Sequence, residues 1–150
     1  MIDSELAPLD QGPIARAVVQ RLGWFVVSTR LLIAVVDDEE SVRRALGRLL
    51  RSAGHEVQCY ASGIEFLSSL SNGRPECLVV DVHMPGLSGF DVLARLRADG
   101  VRLPTIVITG FDEPDAEPRA ARLGAVKFLR KPVREDELLE AVDLAVSAKP

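Results

Sequence analysis

The sequence predicts an α/β fold of the (βα)5 type, in which a doubly wound parallel sheet carries helices on both faces. Short continuous apolar runs recur from residue 31 onward, and such runs are typical of strands that are buried on both sides. Segments with the apolar spacing of amphipathic helices separate these runs. Five strands alternating with five helices predict parallel strands that are joined by right-handed crossovers.

Four of the predicted strands are continuous apolar runs, and they cover residues 31–36, 78–80, 106–108 and 125–129. Residues 56–60 alternate between polar and apolar side chains instead. Because alternation is typical of a strand with one solvent-facing side, this segment is predicted to lie at an edge of the sheet.

The first predicted helix follows the first strand. Its apolar residues recur at helical spacing from Val42 to Leu50, and Gly54 provides a stop. Its opposite face is basic and consists of Arg43, Arg44, Arg48 and Arg51. The sequence therefore predicts an amphipathic helix with a charged outer surface.

The remaining four helices have weaker but recognisable signals at their starts. Ser62 and Ser88 are predicted N-caps of the second and third helices. The fourth helix is predicted around residues 119–123, where prolines at positions 114 and 118 restrict its start. The fifth covers about residues 134–147, and the acidic residues of its first turn suit the helix dipole.

The composition limits the classes of function. The net charge of −4 argues against a nucleic-acid partner, because dedicated nucleic-acid binders are usually basic. No apolar run reaches the roughly 18 residues that span a bilayer, and the acidic first five residues do not resemble a signal peptide. Cys59 and Cys77 lie in apolar stretches and are interpreted as reduced core residues. We therefore expect a cytoplasmic protein with no membrane segment.

The predicted domain covers residues 31–147, and residues 148–150 form a short tail. Residues 1–30 fall outside the strand–helix pattern. Pro13 can open a helix over residues 13–22 that packs on the domain or on a second copy. The alternative is a disordered extension, and both interpretations stay open at this point.

Reactive side chains follow the predicted strands at the points where these strands end. Asp37 and Asp38 follow the first strand, Asp81 the third, Thr109 the fourth and Lys131 the fifth. Because the carboxyl ends of parallel strands meet at one edge, these groups are expected to share a crevice. Three neighbouring carboxylates repel one another unless a cation binds them, and oxygen ligands favour Mg²⁺. The crevice therefore suits a phosphoryl group held between Mg²⁺ and a lysine.

Each of these signals also has an ordinary structural interpretation. An acidic pair after a strand is often a helix cap, a single aspartate is often a turn residue, and Lys-Pro is often a solvated loop. The coincidence of all of them at the ends of different strands of one series favours a functional site.

Four motifs carry a family resemblance: VVDDE at 35–39, DVHMPGLSG at 81–89, ITG at 108–110 and FLRKP at 128–132. With these motifs in this order and spacing, the chain resembles the receiver domain of two-component response regulators. It is most similar to the FixJ-type branch, whose full-length members usually carry a helix-turn-helix output domain. The resemblance implies a flavodoxin-like sheet with strand order 2-1-3-4-5.

The resemblance also implies a role for each site residue. Asp81 is expected to be the phosphoacceptor, and Lys131 to pair with it and then with the phosphoryl group. Asp38 is expected to bind Mg²⁺ directly, Asp37 mainly through water, and His83 through its backbone carbonyl. The His83 side chain either influences hydrolysis of the aspartyl phosphate or has no role of its own.

Two further residues are implied to convert phosphorylation into a change of shape. Thr109 is expected to donate its hydroxyl to a phosphoryl oxygen, and Phe128 occupies the position of the switch aromatic. The Lys131–Pro132 bond is expected to be cis. The surface formed by the fourth helix, the fifth strand and the fifth helix is then the face that a protein partner binds.

The expected partners are a histidine kinase or a histidine phosphotransfer protein, which docks on the basic first helix in this family, and a downstream protein target. Arg119 and Arg122 precede an acidic last helix, so a homodimer through the fourth helix, fifth strand and fifth helix is also a hypothesis. Two alternatives stay open. The chain is a receiver detached from a DNA-binding transcription factor, or it is a binding module that acts without phosphorylation.

Overall fold

The computed structural model describes residues 30–147, and these residues form one five-stranded parallel sheet. The strands are β1 (Leu32–Val36), β2 (Glu56–Tyr60), β3 (Cys77–Asp81), β4 (Thr105–Thr109) and β5 (Lys127–Arg130). Their spatial order is β2-β1-β3-β4-β5, and every neighbouring pair is parallel. The predicted flavodoxin-like fold and its strand order are confirmed.

Five α-helices connect the strands and cover both faces of the sheet. They are α1 (Glu40–Ser52), α2 (Gly63–Ser69), α3 (Gly89–Ala98), α4 (Ala116–Arg122) and α5 (Glu135–Ser147). A short 3-10 turn, Leu70–Asn72, extends α2. Side chains of α1 and α5 pack into one core cluster, whereas side chains of α2, α3 and α4 pack into the other. The sheet therefore separates two apolar layers.

Continuous apolar strands arise because both sides of the sheet are covered. Along β1, Ile33 and Val35 face the layer of α1 and α5, while Ala34 and Val36 face the opposite layer. All four are fully buried. The strand β2 lies at an edge, as its alternating pattern predicts, and Cys59 on it is exposed. The interpretation of Cys59 as a core residue is therefore wrong, whereas Cys77 in central β3 is buried.

The helix starts follow the predicted local chemistry. Ser62 accepts a hydrogen bond from the Glu65 backbone N–H at 3.1 Å, and Ser88 forms a reciprocal capping box with Asp91. Helix α4 begins at Ala116, three residues earlier than predicted. Its Pro118 is tolerated because the first turn of a helix has no intrahelical acceptor for its N–H groups.

Some predictions lie outside the described residues. The helix predicted over residues 13–22 and the tail at 148–150 are among them, and the boundaries of the predicted domain remain a prediction. Among the described helices, none combines the length and the apolar character that a bilayer span requires.

Candidate functional site

Three carboxylates meet at the carboxyl edge of the sheet. Asp81 is the last residue of β3 and only 2% exposed, Asp37 directly follows β1 and is fully buried, and Asp38 is exposed. Oxygen atoms of all three lie within 4.8 Å of one another. Adjacent pairing of β1 and β3 places these residues together, as the strand-end pattern predicts.

Hydrogen bonds that each involve a backbone group hold this acidic cluster in place. The Glu39 N–H donates to Asp37 Oδ1 at 2.9 Å, and Arg43 Nη1 donates to the Asp37 carbonyl at 2.6 Å. The Gly89 N–H donates to the Val82 carbonyl at 2.9 Å, which fixes the start of α3 against the end of β3. The site therefore rests on the rigid ends of strands and helices.

Lys131 supplies the positive charge of the crevice. It follows β5, its N–H donates to the Thr109 carbonyl at 2.8 Å, and its bond to Pro132 is cis, as predicted. Its Nζ lies 3.0 Å from Asp37 Oδ2, 3.4 Å from Asp81 Oδ1 and 3.3 Å from Glu39 Oε1. The predicted Lys131–Asp81 pair is present, but the ammonium is shared with two further acids.

The surroundings perturb the protonation of both partners. Burial, followed by the charge of Asp37, raises the pKa of Asp81 from 3.8 to about 6, although Lys131 opposes this change. Partial burial lowers the pKa of Lys131, but the hydrogen bond that Lys131 donates to Asp37 and the charge of Asp81 outweigh this effect and raise the pKa overall. The crevice thus carries an excess of negative charge that an additional cation would relieve.

The donor set fits a magnesium ion. Its ligand atoms are all carboxylate oxygens, which Mg²⁺ prefers over softer metals. Asp37 Oδ2 and Asp81 Oδ1 are buried, and within the described residues neither accepts a hydrogen bond of good geometry besides the Lys131 ion pairs. Buried carboxylate oxygens with unused lone pairs are what a cation site requires.

The two predicted switch residues lie on neighbouring strands. Thr109 is buried at the end of β4, and its Oγ1 accepts a hydrogen bond from the Phe111 N–H at 3.2 Å. Phe128 on β5 is half-buried, and the Arg130 guanidinium lies 5.8 Å from its ring centroid. The Thr109 hydroxyl is thus bonded within its own loop, and the Phe128 ring is partly accessible to solvent.

Sequence reasoning missed several contacts around the site. His83 Nε2 lies 2.8 Å from Glu113 Oε1, and the His83 ring packs edge-on against Phe111 with centroids 4.4 Å apart. The Glu39–Lys131 contact was also missed, although Glu39 directly follows the acidic pair in the sequence. No local signal predicts that Glu113, thirty positions beyond His83, reaches it. The His83 side chain therefore faces the loop between β4 and α4.

Comparison with known families matches residues 33–143 to the response regulator receiver domain. The matched range contains the whole acidic cluster, Thr109, Phe128 and Lys131. The chain belongs to this family. Receiver domains are signalling switches of two-component systems rather than conventional enzymes, and they bind Mg²⁺ at an acidic pocket of the kind formed here.

Individual relatives agree with this assignment. Nodulation protein W of Bradyrhizobium diazoefficiens is 44% identical over 120 residues, which cover 80% of this chain and 53% of the relative. The transcriptional regulatory protein FixJ of the same species is 36% identical over 120 residues, covering 80% of this chain and 58% of FixJ. The receiver domain thus spans about half the length of these curated relatives.

A solved structure supports the fold independently. The crystal structure of FixJ-N superimposes with a TM-score of 0.76 at 32% identity, covering 82% of this chain and 98% of FixJ-N. The predicted resemblance to the FixJ-type branch of receiver domains is confirmed. Receiver domains interact with histidine kinases or phosphotransfer proteins.

Proposed function

We propose that Asp81 accepts a phosphoryl group from the phosphohistidine of a histidine kinase or a histidine phosphotransfer protein. A carboxylate oxygen of Asp81 attacks the phosphorus atom, the P–N bond breaks, and its electron pair stays on the histidine nitrogen. The product is an aspartyl phosphate. Hydrolysis by water later restores the carboxylate and releases inorganic phosphate. We propose no reaction of the chain other than this phosphoryl transfer and this hydrolysis, both of them in the cytoplasm.

Lys131 stabilises the transferred group by charge. Its ammonium is already 3.4 Å from Asp81 Oδ1, so it can contact an oxygen of a phosphoryl group attached to that carboxylate. Its contacts with Asp37 and Glu39 fix the long side chain before the reaction. Phosphoryl transfer depends mainly on positioning and charge stabilisation, which makes this preorganisation useful.

The acidic cluster is proposed to hold Mg²⁺. Asp37, Asp38 and Asp81 are the carboxylate ligands, and the backbone carbonyl of His83 is a further proposed ligand. The bound ion supplies positive charge that offsets the charge of the phosphoryl oxygens. The ion would also offset the charges of Asp37 and Asp38, which together with burial raise the pKa of Asp81.

Thr109 and Phe128 are proposed to convert the modification into a change of surface shape. A phosphoryl group adds three acceptor oxygens, and the Thr109 hydroxyl then donates to one of them instead of to the Phe111 carbonyl, which lies 3.4 Å away. The space vacated near β5 lets the half-buried Phe128 ring turn inward. The surface of α4, β5 and α5 changes, and a downstream protein target binds it.

One observation carries this proposal more than any other. Three residues from the ends of three different strands meet here: the buried carboxylates of Asp37 and Asp81 lie 3.0 and 3.4 Å from the Lys131 ammonium. A binding module that acts without phosphorylation has no need for a buried phosphoacceptor with a raised pKa. The phosphorylation-dependent switch is therefore the better-supported function.

The direct test is to incubate the chain with Mg²⁺ and acetyl phosphate and to measure its intact mass. We expect the mass of one added phosphoryl group, and its absence when Mg²⁺ is removed or in Asp81→Asn. A second arm adds Mg²⁺ and beryllofluoride, a phosphoryl mimic, and follows the protein's fluorescence and hydrodynamic size. No mass gain together with no response to beryllofluoride would overturn the proposal.

A further inference from the structure

Strand β2 leaves one edge of the sheet open. Within residues 30–147 the strand order ends at β2, so no further strand pairs with its outer side. The Glu56 N–H donates to the Leu31 carbonyl, so the backbone groups of Glu56 point toward β1. Because successive residues of a strand direct their backbone groups to opposite sides, the N–H and C=O groups of Val57 and Cys59 point outward. These four groups are positioned to bond to an added strand.

Arg51 partly occupies this edge. In the part of the chain that the structure describes, its Nη2 donates to the Val57 carbonyl at 3.3 Å, while the other three outward groups have no hydrogen-bond partner. A bond of this length is weak, so an incoming strand can replace it. Gln58 and Cys59 are exposed, and the edge is therefore accessible. Open edges of this kind are templates for strand pairing.

A row of arginines on α1 borders the same edge. This arginine row consists of the exposed residues Arg44, Arg48 and Arg51, and Arg51 also lines a groove beside Val57. Arg44 lies 3.8 Å from Glu40, but both side chains are at least 70% exposed, so this pair contributes little. Neither Arg48 nor Arg51 forms an ion pair with an acid of the described range. The edge therefore lies beside an excess of positive charge.

The spacing of the arginine row matches that of one face of a strand. Along the axis of α1, Arg44 and Arg48 are about 6 Å apart, and Arg48 and Arg51 are about 4.5 Å apart. Alternate residues of a strand, which share a face, are about 6.6 Å apart. A strand that is added beside β2 and has acidic residues at alternate positions can therefore place its carboxylates opposite these arginines.

The charge of the arginine row argues against a second copy of the chain at this edge. Antiparallel pairing of two β2 strands requires a two-fold axis perpendicular to the sheet, which keeps α1 of both copies on the same face. The two arginine rows would then face each other and repel. We propose instead that the β2 edge binds an extended acidic segment of a partner protein by strand addition. Arg51 then exchanges the Val57 carbonyl for a carboxylate of the partner.

The proposed site is separate from the acidic crevice. Helix α1 begins beside the crevice at the carboxyl edge of the sheet, whereas Arg51 lies in its last turn. Val57 is the second residue of β2, so it also lies toward the amino edge. Binding at this edge therefore requires no phosphorylation of Asp81, and its test is independent of the function proposed above.

The test uses the unphosphorylated full chain and a fluorescent nine-residue peptide, with glutamate at three alternate positions and valine or threonine elsewhere. Fluorescence anisotropy in about 0.15 M salt, where distant charges are screened, measures the dissociation constant. One variant carries Arg44→Glu and Arg48→Glu. The matched control carries Arg95→Glu and Arg102→Glu, at exposed positions on and after α3 that change the net charge equally. We expect at least about tenfold weaker binding by the first variant and unchanged binding by the control.

Backbone modification distinguishes strand addition from a contact of charges alone. Methylation of one set of alternate peptide amides removes the N–H groups that face β2, whereas methylation of the other set leaves them intact. We expect one isomer to bind at least about tenfold more weakly and the other to bind like the parent peptide. On the protein, Cys59→Pro removes an outward N–H without breaking a bond to β1, and Cys59→Thr keeps it. Cys59→Pro should bind at least about fivefold more weakly than Cys59→Thr.

Four results would overturn the proposal. They are the absence of peptide binding, equal binding of a peptide with lysine in place of glutamate, equal binding of the two methylated isomers, and an equal effect of the two arginine variants. Self-association that protects the Val57 amide from hydrogen exchange would assign the edge to a second copy instead. Circular dichroism checks that each variant is folded. If Cys59→Pro fails to fold, amide exchange in the parent decides, because a peptide bound elsewhere leaves the Val57 and Cys59 amides unprotected.

Discussion

Replacement of Gly89 by alanine tests how closely α3 must approach the phosphoacceptor strand. Gly89 is the first residue of α3, and a Cβ at this position would lie 2.4 Å from the Asp81 carbonyl oxygen and 3.1 Å from the Val82 Cα. Its φ is not in the left-handed region, so the conflict is steric and not conformational. The atoms that it meets belong to the backbone that carries Asp81.

The magnitude follows from the displacement that is needed. Ordinary contact begins near 3.4 Å, so the helix or the strand must move by roughly 1 Å. Neither can move easily, because the Gly89 N–H is bonded to the Val82 carbonyl and Ser88 caps the helix. Overpacking of this kind costs about 1–3 kcal/mol, and rigid backbone on both sides favours the upper half of that range. For a domain of this size, about 2 kcal/mol lowers Tm by about 5–10 °C.

Urea unfolding followed by circular dichroism measures this loss, and Gly47→Ala is the matched control. Gly47 lies within α1, where the nearest atom to an added Cβ is Arg51 Nη1 at 3.0 Å, at the end of a flexible side chain. Gly47→Ala should be neutral or stabilise by up to about 1 kcal/mol. Gly89→Ala should also slow phosphorylation by acetyl phosphate by at least about tenfold, since Asp81 is displaced. Equal stability of the two variants would refute the steric reasoning.

Three further predictions concern stability. The pKa of Asp81 is raised to about 6, so protonation stabilises the folded state at low pH and this stabilisation is lost as pH rises through about 6. In urea titrations with EDTA present, the free energy of unfolding of Asp81→Asn should therefore rise relative to that of the parent, by up to about 3 kcal/mol between pH 4 and pH 7. Parallel pH profiles of the two proteins would contradict this. Burial lowers the pKa of His55, whose Nδ1 accepts the Leu31 N–H, so the parent should lose stability as pH falls below 6.5. His55→Asn should flatten that part of the profile, and an unchanged acidic slope would rule the assignment out. Phe66 is fully buried, so Phe66→Ala should lower the free energy of unfolding by about 3–5 kcal/mol in denaturant titrations. The control Ile64→Ala, on the exposed side of α2, should leave it nearly unchanged.

Local patterns predicted most of the secondary structure because their causes are local. Ser62 and Ser88 cap their helices since a side-chain oxygen needs only to reach an N–H three residues away. The predictions failed where the burial of a residue depends on parts of the chain that are distant in sequence. Cys59 has apolar neighbours in sequence but lies on an edge strand, and its burial depends on what covers that strand.

The candidate site was predicted in outline for a different reason. Once the strands are parallel, their carboxyl ends must meet, so Asp37, Asp81 and Lys131 were expected to lie together before any distance was known. The sharing of Lys131 with Glu39 and the contact of His83 with Glu113 were not expected. Both depend on side-chain rotamers and loop paths that no spacing rule specifies.

The sequence by itself thus determined the class of fold, the capped helices and the set of groups at one sheet edge. Apolar periodicity and the residues at strand ends are properties of neighbouring positions in the sequence, so they can be recognised without knowing any long-range contact. Only the tertiary structure decided which residues far apart in sequence are in contact, such as Lys131 and Glu39, which are 92 positions apart. It also decided how closely Gly89 packs against the backbone of Asp81. It also decided that α1 and α5 share a face, because strand order and close packing place helices that are far apart in sequence side by side.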